Sequence, residues 1–346
     1  MTLAVRYVGP RTLDTAPADT VTPGPGEVEL APAYVGICGT DLHIYHGDMD
    51  QRVDRPAVLG HEMSGRVVRT GPGVEGWQPG DAVTVMPLRW DDTCPACRSG
   101  HRHICHDLDF IGIDSPGAMQ QRWTVPASTL VRLPASLVLD RAALVEPTAV
   151  AVHDVRRAAV SEGEKVVVVG GGPVGVLTAL VTRAAGAEVR IVEPSLRRRR
   201  IVEGLGLTCW SAADDVQGMV RRWTADAGAD VAFEVSGAAG GVTTAVDVLA
   251  VRGRLCMVAI HPRPREMDLH RFFWRELTLV GARLYDRSDF ERAVALVADG
   301  TVPAERLISQ VVSLRQAPKA FEALESGGDV MKILVRCQDD AQGVAS

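Results

Sequence analysis

The chain has 346 residues, a length that suggests about two domains at roughly 150 residues each. Apolar residues make up 46% and charged residues 23%, a balance that supports a large buried core. A net charge of −6 argues against nucleic acid and anionic membranes as partners, and no apolar run approaches the roughly 20 residues of a membrane span. The first residues lack a signal-peptide core, so we expect a cytoplasmic protein.

The first part of the chain has the pattern of a β-rich domain. Short apolar runs broken by proline and glycine occur in "VELAPAYV", "GRVVRTGPGV", "DAVTVMP" and "RWTVPASTLVRLP". Turn residues at this close spacing favour a barrel or a sandwich over βαβ units. Around Asp140 the pattern becomes helical in "RAALVEPTAVAVHDVRRA", where Pro147 either interrupts a helix or begins a second one.

Candidate metal ligands occur at three places in this part. Cys38 lies in "GICGTDLHIYHGD", His61 and Glu62 lie in "LGHEMSG", and Glu146 lies in "VEPTAV". A thiolate, an imidazole and a carboxylate together are typical of zinc, and an incomplete protein shell leaves a position for substrate. Neighbouring residues of a regular strand point to opposite faces, so His61 and Glu62 need the irregular backbone that the flanking glycines permit. Taken singly, each residue is more often structural than catalytic.

A separate cysteine cluster lies in "DDTCPACRSGHRHIC". The spacing Cys94-x2-Cys97-x7-Cys105 is typical of a zinc knuckle, although it supplies only three thiolates. Asp91 stands three residues before Cys94, where a fourth ligand would complete the site, and Asp92 is the substitute if the register differs by one. A lobe without metal is the alternative. We interpret the other three of the seven cysteines as buried, reduced apolar residues.

From Lys165 onward, predicted strands alternate with predicted helices. The strands are "KVVVVG", "EVRIVE", "DVAFEVSG", "RLCMVAI" and "ELTLVGA", and the helices are "PVGVLTALVTRAAG", "RRRRIVEGLG" and "GVTTAVDVLAVRG". Continuous valine-rich strands between helices indicate a parallel sheet covered on both faces. After about residue 286 the sequence predicts helices in "DFERAVALVADG" and "APKAFEALESGG" and a final strand in "KILVRC".

The stretch "GGGPVG" matches the G-x-G-x-x-G pattern of nucleotide-binding turns. It follows a predicted strand and opens a predicted helix, and an acid, Glu193, ends the next strand. The helix N-terminus would offer free N–H groups to the phosphates of a dinucleotide. The alternative is a glycine-rich turn without a ligand. The predicted cofactor contacts are Gly170, Gly172, Pro173, Val174 and Gly175.

The residues around the second strand bear on the choice of cofactor. Glu193 would accept hydrogen bonds from the adenosine ribose and repel a 2′-phosphate, which favours NAD over NADP. The arginines from Arg197 to Arg200 favour the opposite choice, because one of them could pair with that phosphate. We interpret most of the four as a solvated helix face, and NADP stays an alternative.

These motifs together resemble the zinc-dependent medium-chain alcohol dehydrogenases, in the branch with sorbitol (polyol), threonine 3- and 2,3-butanediol dehydrogenases. The resemblance covers essentially the whole chain, through "GICGTDLHIY", "GHEMSGRVV", "GDAV", the cysteine lobe, "VEPTAVAVH", "VVVVGGGPVG", "FEVSG" and "LVGARLYDRSDFERAV". It implies an α/β fold with a GroES-like β-rich catalytic domain at 1–150. A Rossmann domain with a doubly wound parallel sheet would follow at 151–286, and the chain would return to the catalytic domain at 287–346.

The resemblance implies the ligands of two zinc ions. Cys38 and His61 would hold the catalytic zinc, with Glu62 as the third ligand. Glu146 would ligate directly or hold a zinc-bound water, exchanging as substrate enters. Asp91 and the three lobe cysteines would hold a structural zinc.

The resemblance also implies the residues that handle protons and cofactor. Thr40 would take the proton of the substrate hydroxyl, and His43 would pass it outward through the cofactor ribose. His43 could otherwise be a surface histidine. Glu193 and Arg198 align with the family's adenosine-ribose contacts.

The implied reaction is hydride transfer between NAD and a secondary alcohol or ketone, with a polyol, a cyclitol, a sugar acid or a vicinal diol as the small-molecule substrate. Sorbitol itself fits less well, because Ile44 and Leu284 stand where sorbitol dehydrogenases have a tyrosine and an arginine. L-Threonine 3-dehydrogenase is the main alternative, and Arg89 or Arg283 could then bind the threonine carboxylate. Those enzymes usually have Asp-Pro where this chain has Glu-Pro.

Two other classes are weaker alternatives. A zinc-free reductase or a non-catalytic structural or regulatory relative should have lost metal or glycine residues, and this sequence keeps them all. The family suggests a homodimer or a homotetramer, with "ELTLVGA" as a possible edge strand across the interface.

Overall fold

The computed structural model describes residues 2–261, 263–325 and 330–338. The chain divides into two compact units. The first takes in the residues up to Glu146 and those from Asp286 onward, and the second runs from Pro147 to Tyr285. The first unit is therefore built from both ends of the chain.

The elements are numbered here in chain order. The strands are β1 (Thr2–Gly9), β2 (Thr12–Ala18), β3 (Glu27–Gly36), β4 (Ala57–Val58), β5 (Glu62–Thr70), β6 (Ala82–Val85), β7 (Leu88–Arg89), β8 (Asp109–Phe110), β9 (Trp123–Pro126), β10 (Leu130–Arg132), β11 (Lys165–Val169), β12 (Glu188–Glu193), β13 (Thr208–Ser211), β14 (Ala229–Glu234), β15 (Leu249–Met257), β16 (Thr278–Gly281), β17 (Ile308–Ser313) and β18 (Lys332–Arg336). The helices are α1 (Gly39–His46), α2 (Pro95–Arg98), α3 (Leu139–Ala142), α4 (Val145–Arg157), α5 (Pro173–Ala184), α6 (Leu196–Gly204), α7 (Val216–Trp223), α8 (Ala239–Asp247), α9 (Leu269–Arg275), α10 (Arg287–Ala298), α11 (Ala304–Leu307) and α12 (Ala317–Glu325). Short 3-10 helices lie at Arg102–Ile104, Ala127–Thr129 and Leu314–Gln316.

The first unit is β-rich, as its closely spaced turn residues predict. Within the described residues its main sheet has seven strands in the order β10-β6-β5-β3-β18-β17, and β9 also pairs with β3. A three-stranded sheet, β2-β1-β4, accompanies it. Gly36 of β3 lies opposite Glu62 of β5 on one side and opposite Leu334 of β18 on the other. β18 is thereby placed next to β3, the strand that leads to Cys38 and that separates β18 from β5.

The second unit contains a parallel sheet in the order β13-β12-β11-β14-β15-β16 across the described residues. All five pairings are parallel, and the helices α5, α6 and α8 alternate with the strands. This order is that of a doubly wound dinucleotide-binding fold, because the chain moves outward from β11 in both directions. Val166, Val167 and Val168 of β11 are fully buried, as expected for a strand covered on both faces. The predicted mixed α/β fold is confirmed.

The bounds of three predicted helices differ in how well they match the structure. Pro147 begins a helix rather than interrupting one, because it lies in the first turn of α4, where its missing N–H costs no hydrogen bond. The helix predicted over "GVTTAVDVLAVRG" is wrong in its second half: it ends at Asp247, and Leu249 already pairs with Ala229 of β14. Strand pairing there overrides the helical spacing. The final residues of the helix predicted over "APKAFEALESGG", 326–328, lie outside the described residues.

Among the residues that the structure describes, no helix combines the length and the apolar character needed to cross a membrane.

Candidate metal centres and nucleotide turn

The structure brings Cys38, His61 and Glu62 together in the first unit. Cys38 is the N-cap residue of α1, just beyond β3, and Glu62 is the first residue of β5. One ligand atom from each residue lies within 4.8 Å of the others. Gly60 has a φ of 99°, a left-handed conformation that glycine adopts without strain, and this supplies the irregular backbone that the sequence predicts before β5.

A buried aspartate supports this cluster and was not predicted from the sequence. The Asp41 carboxylate accepts a hydrogen bond from the Cys38 N–H at 2.8 Å, and its other oxygen lies 3.7 Å from His61 Nδ1. That oxygen and that nitrogen are buried and make no hydrogen bond with the described residues. Carboxylates beside metal-binding histidines fix the orientation of the ring. The position three residues after Cys38, in a capping-box pattern, is the signal that could have found it.

The electrostatics of His61 reflect these neighbours. Burial opposes the charged imidazolium, but the Asp41 carboxylate and Cys38 outweigh it and hold the pKa of His61 well above its usual value. Burial in turn raises the pKa of Asp41, with His61 as a partial offset.

A lysine from the last strand also enters the cluster. Lys332 Nζ donates to both Glu62 oxygens, at 2.8 and 2.7 Å, and to the Ile37 carbonyl at 3.2 Å. Lys332 is 4% exposed and Glu62 1% exposed. Burial opposes the charge on Lys332, but the Glu62 carboxylate more than offsets it, so the pKa of Lys332 lies above its usual value. Sequence reasoning missed this lysine because it lies 270 residues from Glu62, inside an apolar strand pattern.

The fourth predicted residue, Glu146, is buried in the first turn of α4. Its charge helps to raise the pKa values of both His61 and Lys332. Three buried carboxyl groups, those of Asp41, Glu62 and Glu146, and the half-buried Cys38 therefore act on His61 or on the buried Lys332. Buried charge of this kind requires compensation, and the donor set of thiolate, imidazole and carboxylate suits zinc. The residues present fit a zinc ion.

The two predicted proton-transfer residues lie on α1. Thr40 is half-buried in its first turn, and His43 follows one turn later with 38% of its side chain exposed. His43 Nδ1 lies 3.1 Å from an oxygen of Asp48. Ile44, at the position where sorbitol dehydrogenases have a tyrosine, is fully buried in the core.

The lobe forms a second cluster. The ligand atoms of its aspartate and cysteines lie within 4.8 Å of one another, in a set that comprises Asp91, Cys94, Cys97 and Cys105. Asp91 Oδ1 accepts the N–H groups of Thr93 and Cys94 at 2.8 and 3.0 Å. These two bonds hold the pKa of Asp91 well below its usual value, so the carboxylate is ionised.

The two neighbouring aspartates of the lobe, Asp91 and Asp92, have different surroundings. Asp92 forms an ion pair with Arg102, with 2.6 Å between Oδ1 and Nε, and both side chains are more than half exposed. Asp92 is not part of the cluster. Of the two aspartates, Asp91 is therefore the one that lies where a fourth ligand would stand.

The glycine-rich turn lies between β11 and α5 in the second unit. Gly170 has a φ of 117°, and a Cβ on Gly175 would overlap the Gly170 carbonyl. Glu193 is 3% exposed, and its two oxygens accept the N–H groups of Gly171 at 2.7 Å and Ser195 at 2.8 Å. The acid that the sequence pairs with the turn is thus fixed directly against it.

The four arginines from Arg197 to Arg200 differ in their contacts and in their exposure. Arg199 Nη1 donates to the carbonyls of Glu193 at 3.0 Å and Pro194 at 2.7 Å, at the end of β12. Arg197 and Arg200 are exposed, while Arg198 is half-buried, with its N–H bonded to the N-cap hydroxyl of Ser195. This distribution agrees with a largely solvated helix face.

Comparisons with known proteins define the class. Residues 24–135 match the alcohol dehydrogenase GroES-like domain, and residues 173–299 match the zinc-binding dehydrogenase family. The 2-dehydro-3-deoxy-L-galactonate 5-dehydrogenase of Pseudoalteromonas atlantica is 46% identical over 335 residues, 96% of this chain and 98% of that protein. A sorbitol dehydrogenase of Halalkalibacterium halodurans is 31% identical over 320 residues, 91% of this chain and 92% of that protein. The crystal structure of 2R,3R-butanediol dehydrogenase from Bacillus subtilis has a TM-score of 0.90 at 29% identity, covering 98% of this chain and 100% of that one.

The fold and the matches define a two-domain dehydrogenase in which a GroES-like unit accompanies a dinucleotide-binding unit. The chain belongs to the zinc-dependent medium-chain alcohol dehydrogenase family, and it is an oxidoreductase that acts on secondary CH–OH groups. The family membership that the sequence motifs indicated is confirmed.

Proposed function

We propose that this protein is an NAD-linked, zinc-dependent dehydrogenase that oxidises a secondary hydroxyl of a sugar acid or a related polyol. The observation that carries the proposal is the convergence of Cys38, His61 and Glu62 within 4.8 Å. The substrate class is supported by the 46% identity with a sugar-acid dehydrogenase over nearly the whole length of both chains.

The chain's own residues suggest how the reaction is supported. Cys38 and His61 would hold the metal, with Glu62 and Glu146 sharing the remaining positions. When bound, zinc supplies Lewis acidity that makes a coordinated hydroxyl more acidic. Thr40 would accept the hydroxyl proton. His43 would move it outward, with Asp48 holding Nδ1 so that Nε2 is the accepting nitrogen.

A substrate with a second polar group beside the reacting carbon fits this site best. The galactonate relative's name places oxidation at carbon 5, which lies between two carbons that carry hydroxyls. A site that pairs with such a neighbouring hydroxyl rejects analogues without it, because buried polar groups are then left unpaired. Of Arg89 and Arg283, the two candidate partners for a threonine carboxylate, Arg89 already has its Nε 2.8 Å from Asp109 Oδ2, and threonine stays the alternative substrate.

The test is a substrate panel with NAD and NADP. It includes 2-dehydro-3-deoxy-L-galactonate, sorbitol, 2,3-butanediol, L-threonine and ethanol, and it compares Thr40→Val with the matched control Thr40→Ser. We expect the sugar acid to have the highest kcat/KM, with loss of turnover in the valine variant and retention in the serine variant. Threonine as the best substrate would replace this proposal with the threonine dehydrogenase alternative.

NAD is the proposed cofactor, bound along Gly170, Gly172 and Gly175. The buried Glu193 carboxylate would accept hydrogen bonds from the adenosine ribose, using lone pairs left over from Gly171 and Ser195. A 2′-phosphate there would meet a fixed negative charge. A structural zinc in the lobe completes the proposed cofactors.

The proposed assembly is a homodimer or homotetramer joined through β16. This strand is the last of the parallel sheet, and large apolar side chains nearby are exposed: Leu269, Phe273, Trp274 and Leu279. Light scattering on the wild type and on Trp274→Glu tests this, and a monomeric wild type would overturn it. We place the protein in the cytoplasm, where its seven free cysteines would stay reduced.

A further inference from the structure

A buried carboxylate lies at the carboxyl end of β14, next to the strand that carries the glycine-rich turn. Glu234, the last residue of β14, is fully buried, and it pairs with Val169 of β11. Its Oε1 accepts the N–H groups of Ser236 at 2.9 Å and Gly237 at 3.1 Å. The same oxygen accepts the hydroxyl of Ser236. The Glu234 side chain therefore holds the chain segment that directly follows its own strand.

A histidine from the loop after β15 is a further partner of this carboxylate. His261 Nε2 lies 2.9 Å from Glu234 Oε2, and Arg265 Nε donates to His261 Nδ1 at 3.3 Å. Because Nδ1 accepts that hydrogen bond, the ring proton lies on Nε2 and is donated to Glu234. Arg265 Nη2 also lies 3.4 Å from the Gly237 carbonyl, to which it donates. Glu234, His261 and Arg265 thus tie together the segments that follow β14 and β15.

The segment held in this way, residues 235–237, borders the glycine-rich turn. A Cβ on Gly170 would lie 3.1 Å from both the backbone N and the Cα of Ser236. A Cβ on Gly175 would lie 2.9 Å from a methyl group of Val235. These contacts are already close, so a shift of the segment would change the shape of the turn.

The strand order indicates which half of a dinucleotide this segment would meet. The chain moves outward from β11 in both directions, and a dinucleotide binds across such a point with one nucleotide over each half of the sheet. Glu193, the proposed partner of the adenosine ribose, ends β12 on one side. The nicotinamide half would then lie over the ends of β14 and β15 on the other side. Ser236 is exposed there and Ile260 is 65% exposed, so this edge is open to a ligand.

We propose that His261 is a positioning residue for the nicotinamide half of the cofactor. It donates a hydrogen bond to Glu234, and Glu234 holds the backbone of residues 235–237 beside the glycine-rich turn. Arg265 keeps the ring proton on the nitrogen that faces the carboxylate. The inference rests on the proposed NAD-linked function and adds to it a residue that the glycine pattern does not contain. Loss of the histidine should weaken binding of the whole dinucleotide and spare binding of its adenosine half.

The first test measures the binding of NADH and of AMP by His261→Leu and His261→Gln, with fluorescence titration and calorimetry. Leucine removes the donor, and we expect the Kd for NADH and the KM for NAD to rise about tenfold, as for a lost hydrogen bond to a charged group. The kcat should stay within about threefold, because binding is weakened before and during the reaction alike. The Kd for AMP should change by less than about twofold, since the adenosine half lies apart from the substitution.

The glutamine variant separates the hydrogen bond from the bulk of the ring. Its amide group can donate to Glu234 from nearly the position of Nε2, so it should recover most of the affinity for NADH. His270→Leu is the matched control in the same unit, because its ring is exposed and bonds to Trp274 rather than to this segment. Both affinities of the control should equal those of the wild type.

A second variant keeps the proposal testable if His261→Leu folds poorly. Arg265→Met retains the histidine but frees its proton to move to Nδ1, away from Glu234. The Kd for NADH should then rise about threefold, as for a weakened neutral hydrogen bond, while the Kd for AMP stays unchanged.

Three results would overturn the proposal. These are unchanged NADH affinity in His261→Leu, equal losses of NADH and AMP affinity in that variant, and a glutamine variant as weak as the leucine variant. Failure of the underlying function looks different, because a wild type that binds neither NADH nor NADPH would exclude the dinucleotide site itself. A wild type that binds NADPH in place of NADH transfers the same comparison to NADPH, with the same expected losses.

Discussion

The two candidate metal centres of the first unit are constructed in opposite ways. The lobe cluster is local, since its ligands all lie between Asp91 and Cys105 and are held by nearby backbone N–H groups. The other cluster draws Cys38 from the end of β3, His61 and Glu62 from the start of β5, and its lysine from the last strand.

This difference predicts different consequences of metal loss. In the lobe, four close candidate ligands would make a closed site, and metal binding itself would stabilise the fold of the segment. In the other cluster the paired strands set the geometry. The buried carboxyl groups of Asp41, Glu62 and Glu146 there outnumber the buried lysine, Lys332. The lobe should therefore govern stability, and the other cluster should govern turnover.

The largest expected effect is on turnover, from Cys38→Ser. The serine hydroxyl is a poor ligand for zinc at neutral pH, so catalysis should be abolished and the zinc content should fall by one ion per chain. The circular dichroism spectrum and melting temperature should stay close to those of the wild type, because β3 and β5 remain paired. Wild-type-like turnover after metal removal would show that the cluster is not the catalytic centre.

The complementary variant, Cys94→Ala with Cys97→Ala, should chiefly affect stability. We expect two zinc ions per wild-type chain and one in this variant, with a clearly lower melting temperature. Turnover per remaining zinc should stay within a few-fold of the wild type at low temperature. A carefully prepared wild type with a single zinc would count against a metal in the lobe.

A smaller effect should separate the two lobe aspartates. Asp91→Asn should weaken zinc binding in the lobe by at least about tenfold, because the amide replaces an ionised ligand. Asp92→Asn is the matched control: it loses only an exposed pair with Arg102, worth about 0–1 kcal/mol. Chelator competition on both variants distinguishes them, and equal affinities would remove Asp91 from the ligand set.

The smallest effect concerns the second unit, at the acid that lies against the glycine-rich turn. Glu193→Gln removes the charge that would face a 2′-phosphate, so the ratio of NAD to NADP efficiency should fall by about tenfold or more. Glu188→Gln, at the opposite end of β12, provides the control and should leave the ratio unchanged. If the wild type already uses both cofactors equally, the arginines of α6 carry more weight than Glu193.

Features built from residues close together in the chain could be predicted from the sequence, whereas features assembled from distant strands could not. The lobe was predictable because its ligands are close together in the chain, and the glycine turn was predictable because Glu193 ends the next strand. The alternation of strands and helices in the second unit was equally local. Lys332 could not be predicted from spacing, since only the pairing of β18 with β3 brings it to Glu62. Asp41 was missed although its capping pattern is local, because an aspartate in a first turn is ordinary.

The most direct test of the whole account is the oxidation of a sugar acid and of ethanol before chelation, after complete removal of metal and after zinc is restored. We expect a kcat/KM for 2-dehydro-3-deoxy-L-galactonate or a related polyhydroxy acid that exceeds that for ethanol by about 10⁴-fold. This activity should disappear with the metal and return with zinc. Ethanol as the better substrate, or full activity in the metal-free protein, would contradict it.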